Sequence, residues 1–147
     1  MSEQERIVAT ALAQQLHTVV FEEDWFKGLL LHVQDVSAEH ASRSNPGGTS
    51  SAAGQVGHVL YWLRLGQRWL KGEDVEGDQN DSFTTTHVNG AQWQALQAEL
   101  QAEVESFQQA VVAIQDWDSR KLNTVLNQLT HLAYHAGSII QILKATA

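Results

Sequence analysis

Apolar residues recur at three- and four-residue intervals over four stretches, roughly residues 4–20, 51–71, 91–115 and 119–145. That period places them on one face of an α-helix and on no single face of a strand. Ala, Leu, Gln and Glu are abundant in all four stretches, and runs of β-branched residues are scarce. Helices that each carry one apolar stripe must bury those stripes against one another, so the spacing predicts an all-α chain folded as a four-helix bundle. The 147 residues fit one domain, 1–147, with one core.

The connections after the first and second helices are long. "FEEDWFKGLLLHVQDVSAEHASRSNPGG" reads as a helical turn or two around Trp25 to Val33, then a short turn capped by Ser37, ended by Pro46, Gly47 and Gly48. The segment from Gly72 to Gly90, within "KGEDVEGDQNDSFTTTHVNG", is acidic and reads as too polar to pack, which makes it a candidate lid or rim. Asn89 with Gln92 three residues later has the form of a capping box opening the third helix.

Charge narrows the partners. Nine Lys and Arg against 17 Asp and Glu give a formal charge of -8, so nucleic acid and anionic lipid are disfavoured. No apolar run reaches the ~20 residues of a membrane span, and "MSEQERIV" lacks the pattern of a signal peptide, so a cytoplasmic protein is expected. With no cysteine, any metal chemistry falls to His, Asp and Glu.

The fourth helix holds "LTHLAYHAGSI", which sets His131 and His135 four positions apart and hence on one side of the helix. On a helical wheel, Leu122, Leu126, Leu129, Ala133, Ala136, Ile140 and Leu143 form an apolar stripe, widened by Val125, Leu132 and Ile139. Asn123, Asn127, Thr130, Tyr134 and Gln141 form a polar arc, with both histidines at the boundary. This spacing lets two imidazoles reach one ion. Seven histidines in the chain make a chance pair common, and Leu132 stands where a zinc protease would carry its glutamate base. Two hydrogen-bonded boundary histidines are as good a reading of the pair alone.

The second helix tips the balance. His58, Trp62, Leu65 and Trp69 follow one helical face, so a histidine heads an aromatic stripe. A lone histidine there is more often a core residue, yet it must find a partner, and facing helices of a bundle are where metal sites are assembled. Gly57, Ala136 and Gly137 beside the histidines are small enough to let backbones approach. Three imidazoles with a free fourth position would match the catalytic form of a zinc-type site.

These features together resemble the DinB-like (DinB/YfiT) superfamily of four-helix metalloproteins over nearly the whole chain. The resemblance lies in the long first helix, "DWFKGLLLHVQDVSAEHA", Ser51 seven residues before His58, "GHVLYWL", "WQALQAEL" from Trp93, and "THLAYHAGSI". It implies that His58, His131 and His135 coordinate one divalent metal, with Zn or Ni the expected ion. Gly54 and Ser138 depart from residues frequent in that family.

Members with an assigned activity resemble thiol-dependent S-transferases and isomerases. The resemblance therefore implies a small-molecule substrate or thiol, with metal-dependent hydrolysis or a non-catalytic binding bundle as alternatives, and a homodimer. Trp62 and Trp69 would line an apolar pocket, with Tyr61 and Tyr134 beside the ligands. Elsewhere, His17 and His32 read as surface or boundary residues and His40 and His87 as loop residues, with His87 a remote fourth-ligand candidate. Trp25, Trp93 and Trp117 read as packing anchors at helix ends.

Overall fold

A computed structural model describes every residue of the chain except Thr49. Among the described residues there are six α-helices: α1 (Glu3–Phe21), α2 (Leu29–Val33), α3 (Ala38–Ala41), α4 (Ala52–Leu70), α5 (Gly90–Val112) and α6 (Ser119–Ala145). A single 3-10 turn, Asp81–Phe83, interrupts the connection between α4 and α5, and no strand occurs among the described residues. The four long helices are those read from the apolar period. They form a bundle in which α4 packs on α5 and α6, and α1 packs on the same two helices from the other side.

Each long helix begins on a side chain that accepts an otherwise orphaned backbone N–H. Ser2 and Glu5 close a capping box on α1, and Asn89 and Gln92 close the expected one on α5. Ser51 caps α4 by accepting from the Gly54 N–H at 3.0 Å, and its hydroxyl donates to the Thr86 carbonyl at 3.0 Å. Asp118 caps α6 by accepting from the Lys121 N–H at 2.8 Å. α5 ends three residues before its apolar pattern does, because Ile114 reaches the core from the turn beyond the helix and is only 7% exposed.

Leu16, Val20, Leu63, Leu100, Phe107, Leu132 and Ile139 are the buried centre. Burial of a Leu, Ile or Phe side chain stabilises the fold by roughly 1.5–3 kcal/mol. α6 is rotated relative to the wheel drawn from its sequence. Its buried face is Val125, Leu132, Ala136, Ile139 and Ile142, while Leu126 and Ala133 face outward. The rotation follows from its neighbours: α6 meets α1, α2 and α4 together, so the flank that seemed to widen the stripe is its centre. Gln128 and His135 are thereby carried inside.

The connections differ most from expectation. In the first, Leu29–Val33 and the single turn Ala38–Ala41 are helical; residues 22–28 make a tight reversal closed by the Gly28 N–H on the Glu22 carbonyl at 2.7 Å. Trp25 sits at its tip, 94% exposed, and anchors nothing. Trp93 is buried as expected, donating from its indole to the Val36 carbonyl. Trp117 packs against the core from its edge. His40 lies in α3 rather than in a loop, and its Nε2 meets the Leu143 carbonyl and Thr146 hydroxyl, both at 3.1 Å.

The acidic connection packs despite its polarity, because hydrogen bonds tie it to α4. The Trp69 indole donates to the Val75 carbonyl at 2.8 Å, and the Asp78 N–H donates to the Tyr61 hydroxyl at 2.9 Å. At Gly77 the backbone lies against the Trp62 ring and Leu65 so closely that any Cβ would collide with both. The strap continues over Gly57, where a Cβ meets Thr85. Gly57 thus admits the strap rather than a neighbouring helix, and Gly137 faces open space.

Candidate metal centre

His58 on α4 and His131 and His135 on α6 are adjacent because the two helices run antiparallel. Residue 55 lies opposite 135, 58 opposite 131 and 62 opposite 128. The Nε2 atoms of His58 and His131 approach to 3.0 Å, and one ligand atom from each of the three rings lies within 4.8 Å of the others. Nitrogens bound tetrahedrally at about 2.0–2.1 Å from one ion are about 3.3 Å apart, so small side-chain adjustments bring the set to that spacing. Among the described residues this is the one group of three potential ligands that can hold a metal ion.

The outer hydrogen bonds decide which ring nitrogens are free. The Ser82 hydroxyl donates to the Gln79 carbonyl at 2.6 Å, so toward His58 Nδ1, 2.8 Å away, it can only accept. His58 therefore carries its proton on Nδ1 and a lone pair on Nε2. Gln55 acts likewise on His135. Its amide nitrogen donates to the Ser50 hydroxyl at 2.7 Å, which turns its carbonyl oxygen onto His135 Nδ1. A carbonyl accepts only, so His135 also presents Nε2 as a lone pair. Two imidazoles are thus fixed by their partners in the tautomer that ligates a cation, and this donor chemistry fits a divalent ion.

Burial acts in the same direction. His58 and His135 are 2% and 7% exposed. Desolvation, with the neighbouring His131 adding to it, pushes the His58 pKa down to about 4. Desolvation first, then His131 and His58, pushes that of His135 down to about 3. His131 is lowered by desolvation as well. All three rings are therefore neutral near pH 7, the form that binds metal. Phe83 stacks on His58 at 4.0 Å between ring centres and holds its plane.

A cavity of about 600 Å³ opens from the three rings to solvent. Trp62 and Tyr134 line it, as expected, and Phe83, Gln79 and Ser138 complete its rim. Two candidates fall outside. Trp69 is turned to the acidic strap, and the Tyr61 hydroxyl serves Asp78 on the same strap. His87 is exposed beside Arg43 and the C-terminal residues rather than near the triad. His17 pairs with Glu22, and His32 is half-buried on α2.

Sequence reading missed Gln55 and Ser82. Gln55 lies one turn before His58 and could have been noticed on the wheel; Ser82 gives no local signal, since the strap alone brings it there. Removing either partner is expected to weaken metal binding about 10–100-fold with the ligand set unchanged. Competition titration of Ser82→Ala and Gln55→Met against a chelator checks this, and unaltered affinity in both would show that the outer bonds do not matter.

A family model for the DinB superfamily matches residues 21–138. No curated protein and no solved structure matches the chain.

Proposed function

This chain belongs to the DinB superfamily, and from that premise we propose that it is a metal-dependent thiol S-transferase in which His58, His131 and His135 hold one divalent ion. The observation that carries the reading is the convergence of three neutral imidazoles, two with outward lone pairs, at the base of a solvent-open cavity. Zn or Ni suits three imidazole donors. When bound, the ion supplies a Lewis acid that keeps a thiol sulfur deprotonated at neutral pH.

The protein's own contribution is placement and exclusion. Ser82, Gln55 and Phe83 hold two of the rings in position, and Trp62 and Tyr134 offer apolar walls to a small acceptor molecule. Among the described residues no Asp, Glu, Lys or Arg lines the cavity, so no carboxylate there would neutralise an ion's charge or act as a general base on water. That favours thiol transfer over the hydrolytic alternative.

Cobalt substitution separates the readings. A new sulfur-to-cobalt charge-transfer band on adding ethanethiol supports the thiol reading. A spectrum moved by inorganic anions but by no thiol supports hydrolysis, and one moved by neither supports a non-catalytic metal-binding bundle.

We take the chain to work in the cytoplasm on a small molecule and to pair with a second copy of itself. From Leu122 to Leu143 the sequence holds no Asp, Glu, Lys or Arg. The outer face of α6 presents Leu126, Ala133, Gly137 and Tyr134, the last 73% exposed. In a chain of charge -8, an uncharged face is where two copies meet with least repulsion. Sedimentation should show a dimer that Gly137→Glu dissociates; a monomeric wild type would refute the pairing. No described helix is long and apolar enough to cross a membrane.

A further inference from the structure

We infer that Gln128 selects the ligand of the histidine site: it favours an uncharged molecule that presents an N–H or O–H donor. The inference rests on the metal-site reading above and adds the chemical class of what binds there. Gln128 lies one turn before His131 on α6, is 4% exposed and lines the same cavity. Its amide nitrogen donates to the Trp62 carbonyl at 3.0 Å, which fixes the orientation of the carboxamide. Its Oε1 is buried with no hydrogen-bond partner. It is the one such atom on a residue lining this cavity among those described.

Both halves of that arrangement are built. A buried amide oxygen without a donor costs about 1–3 kcal/mol, and buried polar atoms left open in folded proteins mark a missing partner. The opposing helix makes room for the group at Gly66, where a Cβ would stand 2.8 Å from the Gln128 amide nitrogen and 3.0 Å from its carbonyl carbon. Any larger residue there would push the carboxamide off the Trp62 carbonyl.

The chemistry of the wanted partner follows from the oxygen and its surroundings. A carbonyl oxygen accepts and never donates, so a ligand carboxylate or phosphate set against it would meet acceptor with acceptor. Among the described residues no Lys or Arg lines the cavity to pair with such a group. A hydroxyl or a primary amide satisfies the oxygen, and its carbon skeleton can lie on Trp62 and Phe83. Specificity arises because a ligand without the donor leaves Oε1 buried and unpaired.

The test compares two near-isosteric thiols, 3-mercaptopropionamide and 3-mercaptopropionate, titrated into cobalt-substituted protein and read by the charge-transfer band. The wild type should bind the amide about tenfold more tightly, in line with one satisfied hydrogen bond. Gln128→Met should erase that preference with metal content and melting temperature retained. Gly66→Ala, which keeps the carboxamide but displaces it, should erase it too and covers the case in which Gln128→Met does not fold. A wild type that prefers the acid overturns the inference without any variant, as does an amide preference that survives in both variants. If neither thiol gives a band, the thiol reading fails separately. The same comparison is then made with imidazole and 1-methylimidazole, which differ in one N–H, on the cobalt d–d bands. Equal affinity for these two overturns the role of Gln128, and preference for imidazole that Gly66→Ala abolishes supports it.

Discussion

Protein prepared without a histidine tag is expected to carry one equivalent of divalent metal, and His58→Ala to carry none after dialysis. His58 is the only member of the triad on α4, so its removal leaves the two α6 imidazoles as a pair on a single helix. The loss should exceed the cost of about 10–100-fold attached to an outer hydrogen bond. An ion held by all three rings would also crosslink α4 to α6, so saturating metal should stabilise the wild type by about 4 kcal/mol at a thousand times its dissociation constant. His58→Ala should show almost none of that gain. Elemental analysis and denaturant titration with and without metal read both quantities. Stoichiometric metal in His58→Ala would refute the triad.

The second large effect is on acid stability of the metal-free protein. Burial holds His58 and His135 at pKa values of about 4 and about 3, below the unfolded value near 6.5. Between those limits the unfolded chain binds protons that the folded chain does not, so stability rises with pH there. The contribution is fully present above about pH 6.5 and is lost as pH falls toward 4 and then 3. Each ring that behaves so weakens the fold by up to about 1.4 kcal/mol per pH unit. Urea titrations from pH 7 to pH 4 should therefore show a steep fall, less steep in His135→Gln, which keeps a polar side chain and removes one titrating ring. A flat profile over that interval would mean that the rings take up protons while folded. Bound metal should move the fall to lower pH, because the ion holds the rings neutral.

Local features were legible and tertiary ones were not. His131 and His135 are one helical turn apart, and the helix itself makes them neighbours, so their pairing could be read without knowing the fold. His58 could be linked to them because it heads the stripe of Trp62, which placed it facing another helix. The four long helices were equally plain from their period and caps. The orientation of α6 was harder, since Leu, Ile and Val occur on too wide an arc of that helix to single out one face. Contact with three helices settles it, and with it the burial of Gln128. Trp25 looked like an anchor because tryptophan usually buries, yet the reversal at residues 22–28 turns it out to solvent. The acidic segment was misread as unpacked because its tethers are backbone groups, Val75 O and Asp78 N, which composition does not display.

The three candidate ligands are spread unevenly along the chain: His58 and His131 are 73 residues apart, and His135 comes four later. During synthesis, the nascent chain holds one of the three imidazoles until α6 is about half made. A ribosome adding ~5–20 residues each second leaves several seconds in which His58 is the one member of the three that has been made. A site built from all three imidazoles would therefore take up its ion only once the chain is folded or nearly folded. Such a latch would close last and should therefore act on escape from the native state. Stopped-flow measurements should find that metal slows unfolding while refolding from the metal-free state keeps its rate.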